Sequence, residues 1–140
     1  MKFWDSSALL PLILPETQSS QALKLVKSDP DLLVWTLTTV ECCSAIYRKH
    51  REGKIKVQEV AQYLKSLRKL EKSWNEIIEV NLVKARAERI LGSHRLRAAD
   101  SMQLAAALIA CEERTHEIEF VTFDHLLAEA AMKEGFQVII

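Results

Sequence analysis

Apolar residues along the chain fall into two kinds of stretch. Short continuous or alternating runs occupy residues 2 to 5, 32 to 36, 76 to 80, 118 to 123 and 137 to 140. The second of these, Leu32-Leu33-Val34-Trp35-Thr36, is unbroken, the pattern of a strand buried on both faces. Between the runs, apolar residues recur at helical spacing, which predicts helices over residues 7 to 14, 18 to 28, 38 to 52, 56 to 73, 81 to 92, 98 to 114 and 124 to 134. Strands alternating with helices predict an α/β fold, a parallel sheet with helices on both faces. Gly53, between Arg51-Glu52 and Lys54-Ile55, fits a helix terminator and makes residues 38 to 73 a helical hairpin; Gly135 is a similar stop before the last strand. Pro11 and Pro15 predict that the first helix is short or bent.

Composition narrows the function classes. With 140 residues, three glycines, three prolines and no low-complexity stretch, the chain is expected to form one domain over residues 1–140. Nineteen basic residues balance nineteen acidic ones, so no global positive field draws in nucleic acid and any such contact depends on a local patch. Cys42, Cys43 and Cys111 show neither a disulfide framework nor a C-x-x-C zinc pair, which points to reduced thiols and a cytoplasmic location. An acidic residue at position 5 is too early for a signal peptide, and no apolar run reaches membrane-spanning length.

Four acidic side chains stand where apolar runs give way to helical patterns. They are Asp5 after Lys2-Phe3-Trp4, Glu41 after Leu32 to Thr36, Asp100 after Arg97-Ala98-Ala99, and Asp124 after Phe120-Val121-Thr122-Phe123. Each has an ordinary structural explanation. Asp5 and Asp124 suit N-caps, Thr38-Thr39-Val40-Glu41 matches a capping box with Thr38 as the cap, and Asp100 suits the positive end of a helix dipole. Jointly they say more, because in an alternating α/β fold strand ends converge on one sheet edge. Several anions at one edge repel each other unless a cation offsets them, and a carboxylate cluster without Cys or His partners suits hard ions, Mg²⁺ or Mn²⁺.

Other chemistries lack their residues. Ser6 and Ser7 have no G-x-S-x-G elbow around them and read as helix-start hydroxyls able to hold metal-bound water. The four histidines show no H-E-x-x-H spacing, and no glycine-rich phosphate loop exists. A receiver domain or dehalogenase-like phosphatase would need paired acids or Asp-x-Asp/Thr, where this chain has Asp5-Ser6-Ser7. Among basic residues, Arg48 and Arg51 after Glu41, and Arg95 and Arg97 before Asp100, are the candidate RNA contacts that connectivity brings nearest the acids.

With these blocks assembled, the chain resembles the PIN-domain family, and within it the VapC-type ribonuclease toxins of toxin–antitoxin systems. The resemblance is carried by Phe3-Trp4-Asp5-Ser6-Ser7, Thr39-Val40-Glu41-Cys42-Cys43-Ser44-Ala45, Leu96-Arg97-Ala98-Ala99-Asp100-Ser101-Met102-Gln103-Leu104 and Phe120-Val121-Thr122-Phe123-Asp124. It implies a three-layer fold with sheet order 3-2-1-4-5. It also implies that Asp5, Glu41, Asp100 and Asp124 surround Mg²⁺ or Mn²⁺, that Ser6 and Thr122 are supporting polar residues, and that the activity is metal-dependent RNA hydrolysis. A cognate antitoxin and a homodimer are the implied partners. The apolar residues Leu9, Leu10, Leu12, Ile13, Leu14, Leu23, Leu25 and Val26 supply either a groove for an amphipathic helix or part of the core. The alternative is a PIN-like module of weak activity that works mainly through protein partners.

Overall fold

The computed structural model describes residues 1–140. It has five strands: β1 (Lys2–Trp4), β2 (Leu32–Trp35), β3 (Trp74–Ile77), β4 (Glu119–Val121) and β5 (Val138–Ile139). All pair in parallel, in the order β3-β2-β1-β4-β5. The helices are α1 (Ser6–Ile13), α2 (Ser19–Ser28), α3 (Thr38–Arg51), α4 (Val57–Glu71), α5 (Val80–Ser93), α6 (Ala98–Ala110) and α7 (His125–Lys133).

Alternation along each strand divides the core between the two faces of the sheet. Phe3, Leu33, Trp35 and Phe120 point to one side, where α5, α6 and α7 cover them. Trp4, Leu32, Val34 and Val121 point to the other, against α1 to α4. On the first face Phe3 stacks on Phe120 at 5.2 Å between centroids, and Phe120 meets Phe136 at 5.5 Å. These rings bind the central strands β1 and β4 to the return into β5.

Several boundaries differ from the pattern expected. The third strand is Trp74–Ile77 rather than 76 to 80, because the register pairs Leu32 with Trp74 and Trp35 with Ile77. Asn75 and Glu76 face solvent on this edge strand, so its polar middle weakens the apolar signal of its first half. The helix expected over 98 to 114 ends at Ala110, since Glu112 and Glu113 take φ of 49° and 64°. Pro11 sits inside α1, which is nonetheless short at eight residues and stops before Pro15.

The hairpin of α3 and α4 turns at Gly53, whose φ is 72°, and Gly135 takes φ of 97° against the Thr115 side chain. Leu9, Ile13 and Leu14 are core residues. Of the apolar side chains expected to form a groove on α1 and α2, only Leu23 is well exposed. No helix is long and apolar enough to cross a membrane.

Candidate functional site

The chain crosses from β1 leftward to β2 and β3 and then returns to β4 on the other side, so the strand order reverses between β1 and β4. Such a switch point leaves a crevice beyond the carboxyl ends of the strands. Asp5 follows β1 directly and Asp124 stands three residues beyond β4, while Glu41 and Asp100 lie in the first turns of α3 and α6. All four side chains line one cavity of about 300 Å³, together with Ser6, Ser7, Ser44 and Arg48. No three of the carboxylates are drawn into a closed ligand cluster; they stand around the wall.

Asp5 is 3 % exposed and caps α1, its Oδ1 accepting from the Ala8 backbone N–H at 3.1 Å and the Ser7 hydroxyl at 2.8 Å. The expected N-cap role is therefore real, and it occupies one oxygen only. Burial pushes the Asp5 carboxyl up to about 7, against the downward pull of those hydrogen bonds. Ser7 also contacts Thr122 Oγ1 at 3.2 Å and accepts from the Phe123 N–H at 2.9 Å, so it ties the end of β1 to the loop after β4. Thr122 Oγ1 accepts in turn from the Asp124 N–H at 3.1 Å. Asp124 Oδ1 caps α7 through the Leu127 N–H at 2.8 Å, and again the second oxygen is uncommitted.

The capping box expected at Thr38 does not form. Leu37 holds the N-cap position without a side-chain bond, and Thr38 is the first helical residue. The Glu41 side chain turns into the cavity instead, with the Ser6 hydroxyl donating to Oε2 at 2.8 Å and the Gln103 amide donating to Oε1 at 3.2 Å. Desolvation raises the Glu41 carboxyl, the two donors lower it, and Asp100 raises it again. Burial raises the Asp100 carboxyl first, then Asp124, while the charge of Arg97 and then its backbone N–H pull it down. The acids thus feel one another, and the arginine beside Asp100 offsets only part of the repulsion.

A second cavity, of about 960 Å³, opens from the first and shares Arg48, Asp100 and Asp124 with it. Its far wall carries His94, Arg95 and Arg97 beside Leu91, Leu96 and Leu126. The neutral overall charge therefore conceals a basic groove running up to the acidic pocket. Arg51 lies one turn beyond Arg48 on α3 and lines neither cavity.

The donor set suits a hard divalent cation. Asp5, Asp100 and Asp124 each keep at least one oxygen free of hydrogen bonds at the cavity, and three of the four acids, Asp5, Glu41 and Asp100, are held neutral-ward chiefly by burial, with Asp5 the most strongly raised. A divalent ion would offset that desolvation with oxygen ligands alone. One contributor, Gln103 behind Glu41, was overlooked in the sequence, and Ser7, expected as a helix-start hydroxyl, serves as a strand-to-strand tie. Gln103 was detectable: it is a polar residue in the run Met102-Gln103-Leu104-Ala105, three positions after Asp100 and so near it on the helix surface.

Comparison with known proteins agrees with this architecture. No curated protein sequence matches the chain significantly. Among solved structures, a Pyrobaculum aerophilum protein superposes with a TM-score of 0.66 at 21% identity, covering 92% of this chain and 83% of its own. A toxin–antitoxin complex from Klebsiella pneumoniae gives 0.65 at 17% identity, and FitAcB from Neisseria gonorrhoeae gives 0.66 at 16%; each alignment covers 100% of this chain and 97% of the other. At these identities the likeness is one of fold. The family model for the PIN domain matches residues 2–133, nearly the whole length, and the chain belongs to the PIN domain family.

Proposed function

We propose that this chain is a Mg²⁺- or Mn²⁺-dependent endoribonuclease that hydrolyses RNA phosphodiester bonds, with residues 1–140 acting as one nuclease domain. PIN domains are generally nucleases. The observation that carries the reading is the meeting of four carboxylates from four separate chain segments in one cavity at the switch point of the sheet. Asp5 is the most direct metal ligand, through the oxygen its helix cap leaves free. Glu41 and Asp100 would complete the ligand set, directly or through water, and Asp124 would hold a second ion or a water. When bound, the ion supplies Lewis acidity and offsets the charge that develops on the phosphate oxygens.

The remaining work falls to the protein's own side chains. Arg48, Arg95 and Arg97 hold the phosphate backbone along the larger cavity, and Ser6, Ser7 and Thr122 fix the acids and loops in register. Single-stranded or loop RNA is the substrate best suited to this open groove, because an A-form duplex hides its major-groove edges. The Klebsiella pneumoniae neighbour is a toxin–antitoxin complex, which supports a toxin role here with a cognate antitoxin; a homodimeric state is part of the same proposal. Three free cysteines favour a cytoplasmic setting.

The test is cleavage of structured RNA with and without Mg²⁺ or Mn²⁺, by wild type, Asp5→Asn and Asp100→Asn. Metal-dependent cleavage that both variants lose by about 100-fold or more is expected, since several kcal/mol of transition-state stabilisation disappear with a ligand. Equal cleavage by all three would sink the assignment.

A further inference from the structure

Gln103 is 1 % exposed on α6, whose other buried residues are Ser101, Leu104, Leu108 and a run of three alanines. Its Nε2 donates to Thr38 Oγ1 at 3.0 Å and to Glu41 Oε1 at 3.2 Å, while its Oε1 has no partner at all. That orientation is chemically determined. Glu41 in its ionised form only accepts, so the amide must present its NH₂ group and leave its oxygen orphaned. A buried acceptor without a donor costs about 1–3 kcal/mol, and a methionine or leucine would fill the same space without that penalty. Packing alone therefore does not explain a glutamine here.

The topology gives it a task. α3 and α6 lie on opposite faces of the sheet, and Gln103 joins them at the carboxyl edge, reaching from the helix that carries Asp100 to the side chain of Glu41. Ser6, on the helix that Asp5 caps, grips the other oxygen of the same carboxylate. Glu41 is thus clamped between donors from the elements that carry two of its fellow acids. We propose that Gln103 is a positioning residue, which fixes the rotamer of Glu41 so that its carboxylate faces Asp5 and Asp100 across the cavity. The inference rests on the reading of Glu41 as a metal ligand; it adds the group that aims it.

The experiment is Mn²⁺ titration by calorimetry in a double-mutant cycle of Gln103→Met and Glu41→Gln, with circular dichroism to verify folding. In the wild-type background Gln103→Met should weaken Mn²⁺ binding about tenfold, the lower end of the usual cost of removing a group that orients a ligand. In the Glu41→Gln background the same change should alter the affinity less than about twofold, because a residue that acts through Glu41 has nothing left to orient. Thr38→Val, which removes the other acceptor of the amide, should leave Mn²⁺ affinity unchanged. An equal loss in both backgrounds, or no loss in either, overturns the proposal while the metal site stands. Wild-type protein that takes up no Mn²⁺ overturns the metal reading and this inference with it. Gln103→Leu serves as a second donor-free variant, and failure of both to fold would assign Gln103 to the core and overturn its positioning role.

Discussion

Replacing Asp5 with asparagine should make the protein more stable in EDTA at neutral and alkaline pH. The Asp5 carboxyl is buried and raised from 3.8 to about 7, mainly by desolvation. Between those values the unfolded chain has released this proton while the folded chain still holds it. The native state then binds more protons than the unfolded state, so stability falls as pH rises through the window and levels off above about 7. Each tenfold change in proton affinity is worth about 1.4 kcal/mol, so the whole interval corresponds to roughly 4 kcal/mol. Asparagine keeps the side-chain oxygen that accepts the Ala8 N–H, and what it gives up is the helix-dipole contribution of a charged cap, about 0.3–1 kcal/mol. The desolvation effect is the larger. Urea unfolding at pH 4 and pH 8 in EDTA measures it: the two proteins should differ little at pH 4, and Asp5→Asn should be ahead by some 2–4 kcal/mol at pH 8. With excess Mn²⁺ the order should reverse, since a ligand bound only by the folded state stabilises by mass action. A variant less stable than wild type at pH 8 in EDTA would refute the reasoning and reduce Asp5 to a cap.

Asp100, half-buried and raised by both desolvation and Asp124, should behave alike on a smaller scale: Asp100→Asn melts at or above wild type in EDTA and gains less from Mn²⁺ in the same thermal scan. Arg95→Gln with Arg97→Gln should weaken RNA binding and should flatten its logarithmic salt dependence by about one unit per lost phosphate contact, read by fluorescence anisotropy. Gly135→Ala should destabilise the fold by about 1 kcal/mol or more in urea unfolding, because φ is 97° there and the new Cβ would lie 2.9 Å from Thr115 Oγ1.

The alternation of strands and helices was legible because the chemistry of the strand ends is written locally, whereas the order of the sheet followed from the family resemblance. An apolar run that ends in Asp5 or Thr122-Phe123-Asp124 marks both a strand and the helix cap that follows it, and the structure shows both roles filled by the same residues. β3 was placed two residues too late at its start and three at its end, because an edge strand buries little and tolerates Asn75 in its middle. The capping box at Thr38 failed for a different reason. Local pattern supplied a cap, but Glu41 has two donors across the cavity, Ser6 and Gln103, that are 35 and 62 positions distant in sequence. A long-range site outcompeted a local motif. A net charge of +0 says nothing of the basic groove; Arg48, Arg95 and Arg97 were singled out by their connectivity to the acids, and the groove that they line forms only in the fold.

The most direct test of the account is anomalous diffraction from a crystal soaked in Mn²⁺. The account predicts a peak in the smaller cavity with an Asp5 oxygen within about 2.5 Å of it and Glu41 and Asp100 turned toward it, and a much weaker peak for Asp5→Asn. A wild-type crystal with no peak there, or with Mn²⁺ bound only at surface carboxylates away from these four, would contradict it.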